Sequence, residues 1–510
     1  MTEETEEVPL ITRRELWTAL AGLILCLALA SLDQNIVAVA LPRIVSELGG
    51  LSQLSWVVTS FLVTSTAMTP LYGKLSDMYG RKPLFIIAIV TFIIGSCLCG
   101  LSRSMFELLV FRGIQGLGAG GLMVLSMTTI ADLVPPRERG RYQGLFSAVF
   151  VFSSVAGPLI GGFITTALSW RWIFYVNMPV GLVALSLIVF GYQRPPHKVS
   201  HSIDYGGAAL LALATVALLL LLSWGGVQYP WSSPLILGLA IIAVVICLLL
   251  VMQERRTEEP LLSPHVFHNK VFAIATIVMS LSFMGLFAAS VFLPLFFQLV
   301  LGMPPADAGL MMAPMSGGAI VASFVGGHLV ARTGRYKKFP IMGLAAATLA
   351  FICIMWAALT DAGVLSFEVA LIFLGLGFGL TMPNLVVAVQ NSVSRHEVGI
   401  ATAMATFFRQ LGGMFGVTIS ATIMTAQLQM PHMEKWASLG KGGRNLVERG
   451  IQEISQLPLA QKTLVLQTYR EAISTTFLAG AVITTLAFVL AFLLPEYPLQ
   501  SAKKGETEPL

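Results

Sequence analysis

One acidic residue lies deep inside the first long apolar segment of the chain. Asp33 belongs to residues 16–41, a run that is otherwise uncharged and long enough to cross a bilayer. A carboxylate at the centre of a membrane helix costs about 2.5–3.5 kcal/mol, so such residues pair with another group, titrate or face water. Asp33 is therefore predicted to lie on an ion or substrate pathway.

Arg112 is a basic residue at a matching depth in the fourth apolar segment. At a rise of 1.5 Å per residue, Asp33 is roughly 25 Å from the start of segment 16–41. Arg112 is roughly 10 Å from the start of segment 105–131, which runs the opposite way. We predict that Asp33 carries a coupling proton and that Arg112 tunes it. A permanent Asp33–Arg112 ion pair that never titrates is the alternative.

The composition is that of a polytopic membrane protein. The chain has 510 residues, 56% hydrophobic and 11% charged, with a mean hydropathy of +0.81, whereas a soluble domain carries about 25% charged residues. The net charge of +5 does not predict nucleic-acid binding, because the basic residues follow membrane topology. The histidines lack ligand spacing and no nucleophile constellation is visible, so we expect no metal, no other cofactor and no enzymatic activity.

Fourteen apolar segments have about the 20 residues that a hydrocarbon core of about 30 Å requires. They are residues 16–41, 54–72, 83–101, 105–131, 142–168, 172–192, 205–224, 234–252, 272–301, 308–331, 339–360, 364–391, 400–426 and 472–494. The predicted fold class is an all-α polytopic membrane protein with fourteen transmembrane helices.

The positions of Lys and Arg predict how these segments are oriented. The short loops on one side hold only Arg43, Arg103 and Arg171, whereas most of the 31 Lys and Arg residues fall on the side of the N-terminus. Cytoplasmic loops carry such an excess. We expect a multi-pass protein of a bacterial-type inner (cell) membrane, with both termini in the cytoplasm.

The chain also repeats itself weakly. GKLSDMYGR at 73–81 returns as GHLVARTGR at 327–335, and ERG at 138–140 returns as EVG at 397–399. Repeated bundles with a site at their interface are typical of secondary transporters. The predicted domains are a six-helix bundle at 1–192, a cytoplasmic connector at 193–204, two inserted helices at 205–252, and a second six-helix bundle at 253–510. Amphipathic segments at 445–454 and 459–473 predict an outer helical loop at 427–471.

A charged turn joins the second and third segments. It runs Gly73-Lys-Leu-Ser-Asp77-Met-Tyr-Gly80-Arg81-Lys82. Its glycines allow a tight turn, and Asp77 can pair with Arg81 and cap a helix. The pattern resembles the G-x-L-x-D-x-x-G-R-K loop motif of the major facilitator superfamily at every specified position. The resemblance implies two six-helix bundles and a latch, in which Asp77, Arg81 and Asp132 form a relay that holds the outward-open state.

The residues around Asp33 narrow the resemblance. LDQNIVAVALP at 32–42 is similar to the L-D-x-T-I-V-N-V-A-L-P signature of fourteen-span drug:proton antiporters of the QacA and EmrB type. Asn35 and Ala38 depart from it, where the family has Thr and Asn. AGPLIGG at 156–162 resembles the antiporter motif of span five. The resemblance implies that this segment resists proton leak. Its residues of interest are Gly157, Pro158, Gly161 and Gly162.

These matches imply a proton-coupled secondary antiporter that exports amphipathic drugs or cationic compounds by alternating access. A dedicated exporter of a lipid, siderophore or other metabolite on the same fold is the second interpretation, and the long outer loop favours it. A sensor or scaffold that does not transport is a third, which the intact motifs disfavour.

The expected partners are the small-molecule substrate, protons and the bilayer, with the 427–471 loop as a candidate site for an outer partner. Arg409 is expected to hold gate geometry or an anionic group. The residues predicted to line the substrate cavity are Asn35, Trp56, Phe292, Gln298, Met311 and Arg409.

Overall fold

The structure consists of long helices joined by short connections. It is a computed structural model that describes residues 13–48, 54–134, 138–192, 204–226, 229–257, 264–360, 362–394, 397–429 and 459–497. The described helices are α1 (Arg13–Leu48), α2 (Leu54–Tyr79), α3 (Arg81–Leu101), α4 (Met105–Leu133), α5 (Arg139–Ala167), α6 (Trp172–Tyr175), α7 (Asn177–Gly191), α8 (Tyr205–Trp224), α9 (Pro234–Arg256), α10 (Pro264–His268), α11 (Lys270–Leu299), α12 (Pro305–Leu310), α13 (Ala313–Thr333), α14 (Lys338–Thr360), α15 (Val364–Asn391), α16 (Val398–Gln429) and α17 (Leu459–Phe492).

Short polar residues and glycine set the ends of several helices. The hydroxyl of Ser104 accepts a hydrogen bond from the backbone N–H of Glu107 at 3.2 Å and so begins α4. Asn269 begins α11 in the same way, by accepting from Val271 N–H at 2.9 Å. Such caps satisfy N–H groups that a first helical turn leaves unpaired. Gly334 ends α13 with a φ of +68°, a left-handed conformation that glycine adopts without a steric clash.

Ten candidate membrane spans are present among the described residues. They are α1, α3, α4, the joined α6–α7, α9, α11, the joined α12–α13, α14, α15 and α17. The long helices α2, α5, α8 and α16 correspond to the other predicted spans but are not among these candidates. Ser, Thr and Gly dilute the apolar character of α2 and α16. An all-helical membrane fold is confirmed, and the number fourteen stays a prediction.

The helices pack in two groups and one pair. In the first group α1 packs on α5 and α7, and α4 packs on α2 and α3. In the second group α11 packs on α16 and α17, and α15 packs on α13 and α14. Helices α8 and α9 pair with each other, and α8 lies against both α2 and α16. The predicted domain boundaries themselves stay a prediction.

The two groups meet where α5 packs on α13 and where α2 and α4 pack on α16. We call the end of the molecule where α1 begins the N face, and the other end the opposite face. Hydrogen bonds between the groups join Asp77 to Ile400 (2.9 Å), Gln390 to Met127 (3.2 Å) and Thr66 to Gln410 (2.7 Å). These bonds extend from the N face to about 20 Å into the helices. In this conformation the space between the groups is therefore closed at the N face.

Two predicted segments lie largely outside the described residues. Of the connector 193–204 only Asp204 is described, and of the outer loop 427–471 only the two ends are; the amphipathic segment 445–454 lies outside. Segment 459–473 is confirmed as a helix, which α17 continues without a break to Phe492. Val465 and Tyr469 of this segment are buried in the apolar core of the second group. This part of the loop thus packs on the protein itself.

Candidate functional site

A buried ion pair lies between α1 and α4. Arg112 Nη1 lies 2.5 Å from Asp33 Oδ2, and both side chains are fully buried. The prediction that the two residues reach similar depths is confirmed. Removing a charge from water is costly unless it is both paired and hydrogen-bonded, so the remaining polar atoms of both side chains also need partners.

Three further residues complete the surroundings of Asp33. Its Oδ1 accepts hydrogen bonds from Gln115 Nε2 and Asn177 Nδ2, each at 2.8 Å. Both amides also donate to Ser96 Oγ, at 3.2 and 3.0 Å. Ser96 in turn donates to the carbonyl of Phe174 at 2.8 Å. The carboxylate is thus held by side chains from α4 and α7, with α3 bracing them.

Arg112 is fixed as firmly as the acid. Its Nε donates to the carbonyl of Val57 on α2 at 3.1 Å, and Nη1 also donates to Gln115 Oε1 at 2.8 Å. The Phe61 ring lies 4.3 Å from the guanidinium carbon, a cation–π geometry. All of these residues belong to the first helix group. Movement of the two groups as rigid bodies would therefore leave the network intact.

The antiporter motif packs directly against the helix that carries Asp33. A Cβ added to Gly157 would lie 2.5 Å from Cβ of Asn35, and one on Gly161 would lie 2.9 Å from the carbonyl oxygen of Ile36. These glycines let α5 approach α1 closely. Pro158 and Gly162 lie within the same unbroken helix, α5. The amide of Asn35 donates to the carbonyl of Ser31 in its own helix at 2.8 Å.

The charged turn forms the predicted relay at the N face. Arg81 lies between two acids, with Nη1 2.7 Å from Asp77 Oδ1 and Nε 2.9 Å from Asp132 Oδ2. Gly80 has a φ of +87°, which explains the need for glycine there. Gly73 is packed against Ala403 and Gly399 of the second group, and Lys82 is half-buried beside Arg81 at the start of α3. The predicted pairing of Asp77 with Arg81 is confirmed.

Asp77 also reaches across to the second helix group. Its Oδ2 accepts a hydrogen bond from the backbone N–H of Ile400 in the first turn of α16, at 2.9 Å. An acid at a helix N-terminus satisfies an unpaired N–H and complements the helix dipole. Burial raises the pKa of Asp77 to about 6, and the neighbouring Asp132 raises it as well, although Arg81 opposes both effects. Asp77 thus links the two helix groups at the N face through a carboxyl group with a raised pKa.

The residues predicted to line a substrate cavity are dispersed. Trp56 is half-buried near the opposite face and makes an edge contact with Trp224 of α8, at 5.4 Å between ring centroids. Phe292 and Met311 are buried in the apolar core of the second group, a placement that does not support contact with a substrate. Gln298 is half-buried one residue before the end of α11.

Arg409 lies apart from those residues, in the middle of α16. Its side chain is only 7% exposed, and the guanidinium carbon lies 4.8 Å from the Phe283 ring of α11. Its Nε has no hydrogen-bond partner among the described residues.

Sequence reasoning missed several residues of the network. Gln115 carried a signal, since it follows Arg112 by three residues and so lies on the same helix face. Asn177 and Ser96 carried none, because the contacts of Asn177 with Asp33 and of Ser96 with Gln115 and Asn177 join segments distant in sequence. The interaction with Ile400 involves a backbone N–H, which no side-chain pattern could have revealed.

Comparison with known proteins identifies the family. A profile of the Major Facilitator Superfamily matches residues 23–417. The "Multidrug transporter protein MdtP" of Bacillus subtilis (strain 168) is 37% identical over 408 residues, covering 80% of this chain and 75% of the relative. The "Multidrug resistance protein 3" of the same organism is 34% identical over 477 residues, covering 92% and 93%.

Solved structures agree on the fold. The crystal structure of the human organic anion transporter MFSD10 superposes with a TM-score of 0.64 at 16% identity, covering 95% of this chain and 100% of that one. At this identity the likeness concerns the fold alone. The arrangement of helices, the family match and the close relatives together show that the chain belongs to the Major Facilitator Superfamily and is a non-enzymatic, multi-pass membrane transporter with multidrug transporters among its relatives.

Proposed function

We propose that the chain is a proton-coupled antiporter that exports amphipathic small molecules by alternating access. The observation that carries this proposal is the fully buried Asp33, paired with Arg112 inside a membrane span. An ionisable pair at this depth serves an ion or substrate pathway in membrane proteins. The names of the two Bacillus relatives support a drug-like substrate.

The proposed architecture is that of fourteen spans in two six-helix bundles, within 1–192 and 253–510. The inserted helices at 205–252 and the connector at 193–204 lie between the bundles in sequence. The distribution of Lys and Arg supports a cytoplasmic N face. With that orientation, the contacts of Asp77 and Gly73 with the second group close the cytoplasmic side, and the conformation is outward-facing.

In the proposed cycle, Asp33 exchanges a proton for substrate. The shell of Arg112, Gln115 and Asn177 stabilises the ionised carboxylate in the conformation described above. A proton that enters from outside neutralises Asp33 and releases its hold on Arg112, which loosens the first group and permits the outer side to close. The Asp77–Arg81–Asp132 latch must then open for the proton to leave toward the cytoplasm and for substrate to bind. The reverse transition carries the substrate outward.

Proteoliposomes containing the full chain test this proposal. Internal pH is followed while amphipathic dyes of both charges are supplied under an imposed pH gradient. We expect dye-dependent proton movement that Asp33→Asn abolishes and that Glu368→Gln, an acid substitution near the opposite face, leaves intact. Undiminished proton-coupled transport by Asp33→Asn would instead favour the permanent ion pair and refute the coupling role.

A dedicated exporter of a lipid or other metabolite is the second candidate. The helical extension at the start of α17, which packs over the opposite-face end of the second group, favours it, because a substrate delivered to the outer leaflet would pass this surface. Susceptibility profiling of cells with and without the protein separates the two. Protection against several unrelated dyes supports broad export, and a flat profile supports a dedicated substrate.

A further inference from the structure

Arg409 differs from two other deeply buried arginines, Arg81 and Arg112. Arg112 is paired with Asp33, and Arg81 is paired with Asp77 and Asp132. Arg409 is as well buried as Arg81, but no carboxylate lies within 4.0 Å of it among the described residues. Arginine keeps its charge at all accessible pH values. A cation is therefore held inside the protein without a counter-charge from the part of the chain that the structure describes.

The local contacts satisfy this cation only in part. The Phe283 ring faces the guanidinium at 4.8 Å and offers a cation–π interaction, which supplies no hydrogen-bond acceptor. The Nε–H of Arg409 has no acceptor within the described structure. Thr276 lies two helical turns from Phe283 on the same face of α11, and its buried hydroxyl also has no partner. Two unpartnered polar groups thus lie on the facing helices α11 and α16.

Arg409 lies at the depth where the two helix groups meet. Arg409 is roughly 16 Å from the start of α16, near mid-depth. The next residue, Gln410, accepts a hydrogen bond from Thr66 of the first group at 2.7 Å, so this level of α16 lies at the interface between the groups. Transporters of this architecture hold their substrates near mid-depth at the interface between repeats.

We propose that Arg409 binds the anionic group of an amphipathic substrate, a carboxylate, sulfonate or phosphate, at the interface between the two helix groups. A guanidinium matches the geometry of such oxyanions and can bind them through two hydrogen bonds. The aromatic ring of Phe283 would hold the opposite face of the guanidinium in place. The inference rests on the proposed transport function and narrows its substrates from amphipaths in general to those with a negative group.

Binding of two dyes with a shared ring system tests the proposal without any pH gradient. Fluorescein is anionic and rhodamine 6G is cationic, and both contain a xanthene ring. Their affinities are measured by fluorescence anisotropy for the full chain in phosphatidylcholine nanodiscs. We expect Arg409→Gln to weaken fluorescein binding at least tenfold and to change rhodamine 6G binding less than twofold. Arg409→Lys should restore part of the loss, and Arg335→Gln, which removes an exposed charge, should have no effect.

A second arm distinguishes a soluble anion from a lipid headgroup. Repeating the titration in nanodiscs with phosphatidylglycerol should weaken fluorescein binding in an Arg409-dependent manner if the oxyanion comes from an anionic lipid. If it comes from a soluble substrate, the affinity should not change. Laurate and dodecyl phosphate serve as further anionic probes in thermal-shift measurements, where we expect them to stabilise the wild type but not Arg409→Gln.

Three results would overturn the proposal. The first is a wild type that none of the anionic probes binds or stabilises, and the second is unchanged fluorescein affinity in Arg409→Gln. The third is an equal loss of affinity for both dyes in Arg409→Gln, together with a lower melting temperature of Arg409→Met. That result would mean that the arginine is needed for folding and has no role in binding an anion. Because binding is measured at equilibrium, it is independent of proton coupling. Loss of coupling with intact Arg409-dependent binding would refute the coupling role of Asp33 alone.

Discussion

Asn177, the first residue of α7, donates a hydrogen bond from its side-chain amide to Asp33 on α1 at 2.8 Å. The same amide donates to Ser96 on α3 at 3.0 Å. One side chain therefore joins the three helices α1, α3 and α7 at the buried carboxylate of the first group. Hydrogen bonds to a buried charge are stronger than those between neutral groups, so this contact is expected to matter for both folding and transport.

Asn177→Ala should lower the stability of the protein by about 1.5–3 kcal/mol, because it removes a hydrogen bond to a buried charged group. Thermal unfolding in detergent measures this change. The effect should be smaller in an Asp33→Asn background, where the charge is absent, and the difference between the two backgrounds reports the coupling between the residues. Equal losses in both backgrounds would mean that Asn177 acts through packing or through Ser96.

The protein should lose more stability when one member of the Asp33–Arg112 pair is replaced than when both are replaced. Asp33→Asn leaves the guanidinium buried without its counter-charge, and breaking a buried pair in this way costs about 3–5 kcal/mol. The double variant Asp33→Asn/Arg112→Gln removes both charges and should recover a large part of that loss. The melting temperatures of the wild type, both single variants and the double variant give the answer. A double variant less stable than either single variant would contradict the pairing argument.

The closed state of the N face should become more populated as the pH falls. In the closed state the pKa of Asp77 is about 6 because of burial, whereas an exposed aspartate has a pKa of about 4. The closed state therefore holds more protons between these values, and lowering the pH from 8 to 5 should favour it about tenfold. Above about pH 6 the effect disappears, because the carboxyl is then ionised in both states.

Distances between spin labels at the exposed positions Tyr79 and Ser394, introduced as Tyr79→Cys and Ser394→Cys, measure this equilibrium. The label pair reports the distance from the N-face end of α2 to the connection between α15 and α16. Asp77→Asn, which cannot titrate, should remove the pH dependence. A shift toward the open state at pH 5 would show that loss of the carboxylate's bonds to Arg81 and Ile400 outweighs the benefit of burying a neutral group.

The parts that the sequence could predict are those that depend on local pattern. The apolar segments predicted the helices, the depths of Asp33 and Arg112 predicted that they meet, and the loop motif predicted the pairing of Asp77 with Arg81. The shell of Asp33 could not be predicted, because Ser96 and Asn177 look like ordinary polar residues until the helices are packed together. The predicted span 308–331 is interrupted at Met311, and the one local signal for a new helix start there is Pro314 in the first turn of α13.

Substrate contacts were the least predictable part, for a related reason. Aromatic and Met side chains serve equally well in a core and in a binding cavity. The burial of Phe292 in the second group and the partial exposure of Trp56 beside α8 depend on how the helices rotate about their axes.

Gly399 should be essential for closing the N face. A Cβ at this position would lie 2.1 Å from Asp77 Oδ1, far inside van der Waals contact. Gly399→Ala must therefore displace the carboxylate from the backbone N–H of Ile400, even though alanine is an excellent helix former. Gly317→Ala, in α13, is the matched control, because nothing lies within 4 Å of the added Cβ.

The spin-label pair should report an N face that is mostly open in Gly399→Ala and unchanged in Gly317→Ala. Export in proteoliposomes should fall at least tenfold in the first variant only. If Gly399→Ala kept the closed distances and normal export, the hydrogen bond from Ile400 to Asp77 would be a contact that the latch does not need, and closure would have to depend on the packing of Gly73 against Ala403.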